Sequence, residues 1–243
     1  MPNHQLLNNI DHKHTKVIVE NHEKYGDKIS VIQTFPSEFI HIQKEYPILF
    51  QKTEDQSKFQ AIAMLGLVED ENLFLENDHG WRANYIPAMI AKGPFLIGFQ
   101  DQSATGGSDR APVIHIDMDN PRVNDSEGMP VFSETGGITS YVSHINDILM
   151  GILDGVGAAD AMFAAFEQYE LLEEFTIEFS LNNGEKYKVA GNYTISEEKL
   201  QQLSPDALKA LQEKGYLMGA YLVMASLTNI QRLVNLKNAR VNS

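Results

Sequence analysis

The chain has no cysteine among its 243 residues. Without cysteine it forms no disulfide, no zinc–thiolate site, no iron–sulfur cluster and no thiolate nucleophile. It also lacks the G-x-S-x-G turn of serine hydrolases and the lysine-containing loop that cradles nucleotide phosphates. No motif in the sequence specifies a reaction, and we expect no cofactor.

Positive charge is scarce. The chain has 19 lysines and arginines against 33 aspartates and glutamates, which gives a formal net charge of -14. Nucleic acids and anionic membrane surfaces bind to clusters of basic side chains. We therefore expect neither of them as a partner, and we attribute the acidic balance to solubility.

Long apolar runs are also missing. The longest, Tyr216 to Leu227, has about 12 residues, whereas a helix needs about 20 to cross a bilayer. Residues 1–20 are polar and show no apolar core of a secretory signal. We therefore expect no transmembrane segment and a cytoplasmic location.

The composition is that of a globular protein, with 43% apolar and 21% charged residues. Residues 1–27 are polar and are expected to form a loosely held N-terminal lead-in. Residues 28–238 are expected to form a single α+β domain. It should combine a mostly antiparallel sheet with a helical second half and a buried C-terminal helix.

The first half of this domain predicts short strands separated by turns. The strands are expected at Lys28 to Phe35, Pro47 to Lys52, Phe59 to Val68, Asn72 to Glu76, Phe95 to Gln100 and Pro112 to Met118. A short helix should begin at Pro36 and end before Pro47. The spacing of Trp81, Tyr85 and Met89 predicts a further helix from Trp81 to Lys92.

The second half predicts helices over Ile138 to Leu153 and Ala158 to Leu172, and the two glycines between them either break or bend one long helix. A hairpin from Phe175 to Ile195 should close at Asn183-Gly184, and a capped helix should follow Ser204. The apolar C-terminal helix from Gly215 to Leu236 lacks a polar face along its first turns. We therefore expect burial on nearly all of its sides.

A series of different short motifs follows in order along the chain. They are Glu45-Tyr-Pro-Ile-Leu-Phe50, Ile62-Ala-Met-Leu-Gly-Leu67, Glu71-Asn-Leu-Phe-Leu75, Trp81-Arg-Ala-Asn-Tyr-Ile-Pro87, Gly93-Pro94-Phe95, Gly191-Asn-Tyr-Thr-Ile195 and Gly215-Tyr-Leu217. The ordered series resembles the bacterial SapC family over about residues 28–238.

This resemblance implies an association with surface-layer export or surface assembly. It also implies a setting beside cupin-like oxygenases, flavin-dependent halogenase-like proteins and TonB-dependent receptors. It does not extend to the peptide-transport permease of the same name, because that protein needs several membrane spans.

Two clusters of side chains are candidates for binding. Trp81, Arg82 and Tyr85 combine aromatic area with a positive charge, which suits either a partner-binding anchor or a packed core face. Asn229 and Arg232, with Ser226 before them, repeat every three residues on an apolar helix. Arg232 could hold a carboxylate of the protein or of a ligand.

His115 and Asp117 are two residues apart on a predicted strand and therefore face the same side. With His144 they could form the facial triad of a non-haem iron oxygenase. The SapC pattern keeps the aspartates here better than the histidine. Asp117 and Asp119 are accordingly also a second, weaker binding site at a strand end.

The sequence therefore favours a non-catalytic accessory or binding protein that acts on a protein or peptide partner. The alternative is a metal-dependent enzyme, or a subunit of one, that uses the His115–Asp117 pair.

Overall fold

The computed structural model describes residues 3–76, 80–101 and 110–241. Its strands are β1 His4–Leu6, β2 Lys16–Val17, β3 Val31–Thr34, β4 Ile48–Lys52, β5 Phe59–Met64, β6 Phe95–Asp101, β7 Arg110–Asp117, β8 Val123–Asn124, β9 Met129–Pro130, β10 Leu172–Ser180 and β11 Lys186–Ile195. Its helices are α1 Phe39–Ile42, α2 Ala88–Ala91, α3 Ser140–Gln168, α4 Glu197–Gln201, α5 Pro205–Glu213, α6 Tyr216–Ser226 and α7 Asn229–Val241. The α+β class is confirmed.

The larger sheet has five antiparallel strands in the order β10-β11-β4-β5-β3. Ile48, Leu49 and Phe50 of β4 are fully buried, so this strand is covered on both faces. α1, α6, α7 and the C-terminal half of α3 contribute to the same hydrophobic core. It is the larger of the two hydrophobic cores of the described residues.

A second core lies under two three-stranded sheets, β1-β7-β6 and β8-β2-β9. It contains Val17, Phe95 and Ile116 together with the N-terminal half of α3. β1 pairs with β7, and β2 pairs with both β8 and β9. The segment 1–27, expected to be loosely held, is therefore part of the fold from residue 4 onward. Val17 contributes buried apolar area to it.

The long helix α3 belongs to both cores and is not broken at its glycines. Val142 near its start lies in the second core, while Phe163 near its end packs edge-on against Phe50 of the first, at a ring separation of 5.0 Å. A Cβ atom on Gly155 would lie 2.5 Å from the Cβ atom of Phe35. Gly155 thus permits close packing of helix on chain and does not interrupt the helix.

By length and composition alone, α3 is the one helix in the described part of the chain that could cross a membrane, with a mean hydropathy of 1.6 over its most apolar window. Only 22% of that window is buried. A core helix meets the same criterion, and the buried residues of α3 pack into the two cores.

The C-terminal helix is divided in two, because α6 ends at Ser226 and α7 begins at Asn229. Ala220 and Val223 are fully buried, but Met218 is 62% and Tyr221 is 52% exposed. The expectation of burial on nearly all sides is wrong. α6 packs on α1, α5, β4 and β11, and within the described residues nothing covers its outer face.

The helix predicted from Trp81 to Lys92 is also wrong, since only α2 is helical there. Pro87 disfavours helical geometry at the residue before it. The backbone N–H of Tyr85 donates to the carboxylate of Glu45 instead of to a helical carbonyl. The strand predicted at 72–76 is reduced to a single bridge between Leu75 and Trp81.

Candidate functional site

A groove runs between α3 and the segment 84–91, and we call it the α3 groove. Its volume is about 530 Å³. Most of its wall is apolar, formed by Phe35, Ile86, Ala88, Ala91, Ile148 and Ile152. The chain reaches this arrangement because Gly155 lets α3 approach the 3₁₀ turn Pro36–Glu38, and because Ser37 donates a hydrogen bond of 3.0 Å to the carbonyl of Gly151.

Glu38 is a buried carboxylate in the wall of the groove, and it has three hydrogen-bond donors around it. It accepts hydrogen bonds from the Thr34 hydroxyl at 2.7 Å, from the Tyr85 hydroxyl at 2.9 Å and from the Ala88 amide at 3.0 Å. Burial, followed by the negative charge of Glu38, raises the pKa of Tyr85 well above its ordinary value. The phenol therefore stays protonated and fixes one wall of the groove.

The polar groups that remain free in the groove come mainly from α3. His144 and Asp147 are three residues apart, so they share one face of the helix and line the groove together. Within the described residues the Asp147 carboxylate has neither a hydrogen bond nor an ion pair. On the opposite wall the His41 ring stacks on Tyr85, with 5.1 Å between ring centroids. The groove thus offers one unpaired carboxylate beside apolar walls.

A second pocket of about 340 Å³ continues the α3 groove. The two share Ile86, Ala91, His144 and Ile148. The far wall of this apolar pocket is formed by the N-terminal segment and β9, through Ile18, Val19, Asn21 and Met129, with Arg122 beside them. Residues from the predicted lead-in therefore help to form the site.

Four residues singled out in the sequence meet behind the groove, around Glu45 and Tyr46. The Trp81 indole donates to the Tyr46 hydroxyl at 2.6 Å, and that hydroxyl donates to the carbonyl of Tyr85. Glu45 accepts from the amides of Asn84 and Tyr85 at 2.8 and 3.2 Å. Burial raises the pKa of Tyr46 well above its ordinary value, so it remains a protonated donor.

The helix α7 completes this cluster. Arg232 forms an ion pair of 3.2 Å with Glu45, so the carboxylate it holds belongs to the protein. Asn229 donates to the carbonyls of Gln43 and Tyr46 at 2.8 and 3.2 Å. Ser226 is fully buried and accepts a 2.8 Å hydrogen bond from the amide of Ile48. These polar residues hold the wall of the groove in place and do not point into it.

Arg82 lies apart from the cluster and forms an exposed ion pair with Glu76 at 3.2 Å. Trp81 is only partly exposed and stacks on Phe74 at 6.1 Å between centroids. Of the aromatic and basic cluster predicted from sequence, Tyr85 is the member that lines the groove.

The three residues of the alternative metal site, His115, Asp117 and His144, each have other surroundings. The ring of His115 lies over Gly98, where a Cβ atom would come within 2.5 Å of its Nε2. One oxygen of Asp117 accepts from the amides of Asn3 and Asp119 at 3.1 and 3.2 Å, which shapes the turn after β7. His144 instead lines the α3 groove. Across residues 3–76, 80–101 and 110–241, no three His, Asp or Glu side chains are grouped to hold a metal ion.

A model of the SapC family matches residues 7–233, which include every residue that lines the α3 groove. The chain belongs to the SapC family. No curated protein and no solved structure matches it. The SapC match begins at residue 7 and so takes in most of the N-terminal segment that lines the apolar pocket.

Sequence reasoning missed Glu38, His41 and Asp147 as groove residues, and it placed His144 in a different site. The signal for Asp147 was weak, because Ser143, His144, Asn146 and Asp147 together form the ordinary polar face of a helix that is apolar at Ile145, Ile148 and Leu149. Glu38 gave no such signal, since two of its three partners, Tyr85 and Ala88, lie about 50 residues away in sequence.

Proposed function

We propose that this SapC-family chain is a non-catalytic binding protein that holds a segment of a protein partner in the α3 groove. The observation that supports the proposal is the groove itself. It combines about 530 Å³ of apolar-walled space with a few unpaired polar groups. That combination is typical of a binding site.

The groups with the most reactive chemistry in the groove already have partners. The Tyr85 phenol is held protonated, and Glu38 accepts three hydrogen bonds. The Ser37 hydroxyl donates to a backbone carbonyl and not to a base. A nucleophile needs an adjacent base or a lowered pKa. Ser37 donates to a carbonyl and has no such base, and Tyr85, although it donates to Glu38, has a raised pKa. Binding is therefore the simpler use of the groove.

The family resemblance suggests where the partner belongs. We propose that it is a protein of surface-layer export or assembly, or of a neighbouring oxygenase, halogenase or TonB-dependent receptor system, and that the chain meets it in the cytoplasm. The net charge of -14 favours a partner with a basic surface.

The test fills the groove without disturbing the fold. Gly151 lines the groove, and a Cβ atom there would meet no other atom within 4 Å. Gly151→Phe therefore places a ring in the groove while it removes a helix-weakening glycine. Gly157→Phe is the matched control, because Gly157 lies on the same helix in equally open space and outside the groove.

The full-length chain would be immobilised and panned against a phage library of random dodecapeptides. We expect wild type and Gly157→Phe to enrich the same peptides, and we expect Gly151→Phe to lose them. Circular dichroism and thermal melts of all three proteins confirm that each is folded. Peptides that bind all three proteins equally well would contradict the assignment of binding to the α3 groove.

A further inference from the structure

We infer that the α3 groove selects a peptide segment in which a lysine or arginine lies close in sequence to a large aliphatic or aromatic residue. The basic side chain would pair with Asp147, and the apolar side chain would enter the adjoining apolar pocket. This inference rests on the proposed function and names the chemistry of its ligand.

Charge complementarity supports the basic residue. Asp147 is exposed, and it is the one carboxylate lining the groove that lacks a partner within the described residues, since Glu38 already accepts three hydrogen bonds. Arg122 is the one lysine or arginine among the residues that line the two pockets, and it is committed to Asp27 and to two backbone carbonyls. A ligand cation therefore meets an available counter-charge without a competing protein cation. The net charge of -14 adds long-range attraction for the same sign of ligand.

The second pocket supports the apolar residue. Branched aliphatic side chains line it, among them Val19, Ile86, Ile90, Ile145 and Ile148. Val19 is 54% exposed and Met129 is 42% exposed at its rim, so a bound side chain would remove apolar area from water. The guanidinium of Arg122 pairs with Asp27, so this pocket offers no free positive charge to a ligand. The amide of Asn21 also donates to Asp27.

The spacing of the two ligand residues follows from the lining that the pockets share. His144 and Ile148 belong to both pockets, so the two subsites meet at one turn of α3. In an extended peptide, residues i and i+2 lie about 7 Å apart on one side. The basic and apolar residues of the ligand are therefore expected within about four positions of each other.

The peptides enriched in the panning experiment supply the first test. We expect Lys or Arg to recur near Leu, Ile, Met or Phe among peptides that Gly151→Phe loses. One such peptide is then synthesised with a fluorescent label, together with a copy in which norleucine replaces the basic residue. Their dissociation constants are measured for wild type, Asp147→Asn and Asp154→Asn.

Asp147→Asn should weaken binding of the basic peptide by roughly two- to fivefold, the range of an exposed ion pair, because Asp147 is exposed. It should leave the norleucine peptide unchanged. Asp154→Asn should change neither, because Asp154 is exposed on the same helix and outside both pockets. Val19→Asn should weaken the binding of both peptides. Ile10→Asn, at an 84% exposed position outside the pockets, should weaken the binding of neither.

The outcomes separate the two proposals. Groove-dependent peptides without basic residues, or equal affinities of wild type and Asp147→Asn for the basic peptide, overturn the ligand assignment and leave the binding function in place. Peptides that Gly151→Phe still binds, or a panning experiment that enriches nothing, overturn the binding function and this inference with it.

Discussion

Replacing Arg122 with methionine should destabilise the protein and open one wall of the site. Arg122 is 5% exposed and joins the turn before β8 to the N-terminal segment. Its guanidinium lies 2.5 Å from an oxygen of Asp27, donates to the carbonyls of Ile18 and Glu20, and stacks over the ring of Tyr25 at 4.9 Å. Methionine keeps the apolar stem and removes all of these contacts.

The loss of unfolding free energy follows from the buried carboxylate of Asp27, which loses its partner when the guanidinium is removed. Breaking a buried ion pair by removing one partner costs about 3–5 kcal/mol, because the other charge stays buried. Asp27 is 7% exposed and retains a 2.8 Å hydrogen bond from the amide of His22, which places the cost near the lower end, at about 3 kcal/mol. A small protein has about 5–15 kcal/mol of stability in total, so this loss is readily measured.

Urea unfolding followed by circular dichroism gives the free energy of unfolding for wild type and variant. The matched control is Arg82→Met, which removes an ion pair whose side chains are 42% and 48% exposed and should cost less than about 1 kcal/mol. Amide hydrogen exchange should speed up over residues 16–27 in Arg122→Met alone. An equal loss of stability in the two variants would refute the view that residues 1–27 are part of the folded core.

Two further predictions concern packing and one buried hydrogen bond. Gly155→Ala should lower the free energy of unfolding by about 1–3 kcal/mol, because its new methyl group collides with Phe35. Gly157→Ala should instead raise it by about 0.5–1 kcal/mol. Thermal melts of both variants compare them directly. Trp81→Phe keeps the aromatic stack, loses the indole hydrogen bond to Tyr46 and should cost about 1 kcal/mol in urea unfolding; no measurable loss would show that this bond contributes nothing.

The elements that sequence patterns predict correctly are those whose signals are local. The hairpin turn at Asn183-Gly184 is confirmed, with Gly184 at φ +89°, a conformation that glycine adopts readily. The helix α5 begins after Ser204, whose hydroxyl accepts a hydrogen bond from the amide of Ala207. In both cases the residues that fix the geometry are neighbours in sequence, so no knowledge of the tertiary fold is needed.

The failures share the opposite property, because their causes are distant in sequence. The segment from Trp81 onward has helical spacing, but the carboxylate of Glu45 takes the backbone amides of Asn84 and Tyr85 that a helix would use. The N-terminal segment looks solvated in sequence, yet Arg122 anchors it from about a hundred residues away. Periodicity carries no information about such partners.

The same distinction between local signals and distant causes applies to the candidate site. Trp81, Tyr85, Asn229 and Arg232 stand out in the sequence because they are aromatic, or polar in an apolar run, and the structure brings all four around Glu45 and Tyr46. Their pattern cannot reveal that the carboxylate held by Arg232 comes from the chain itself. A buried polar residue needs a partner in either case, so its sequence signal is the same for a scaffold and for a ligand site.

The motifs that reveal family membership therefore describe the support of the α3 groove more than its contents. Glu45 and Tyr46 belong to one motif, Trp81 and Tyr85 to another, and their mutual hydrogen bonds fix the wall that Tyr85 and Ile86 present to the groove. Asp147 lies in none of the motifs. A chain can thus keep this scaffold while it exchanges the residues of α3 that face a ligand. If the proposed binding function is correct, variants at Asp147 should change which peptide is bound without changing whether the protein folds.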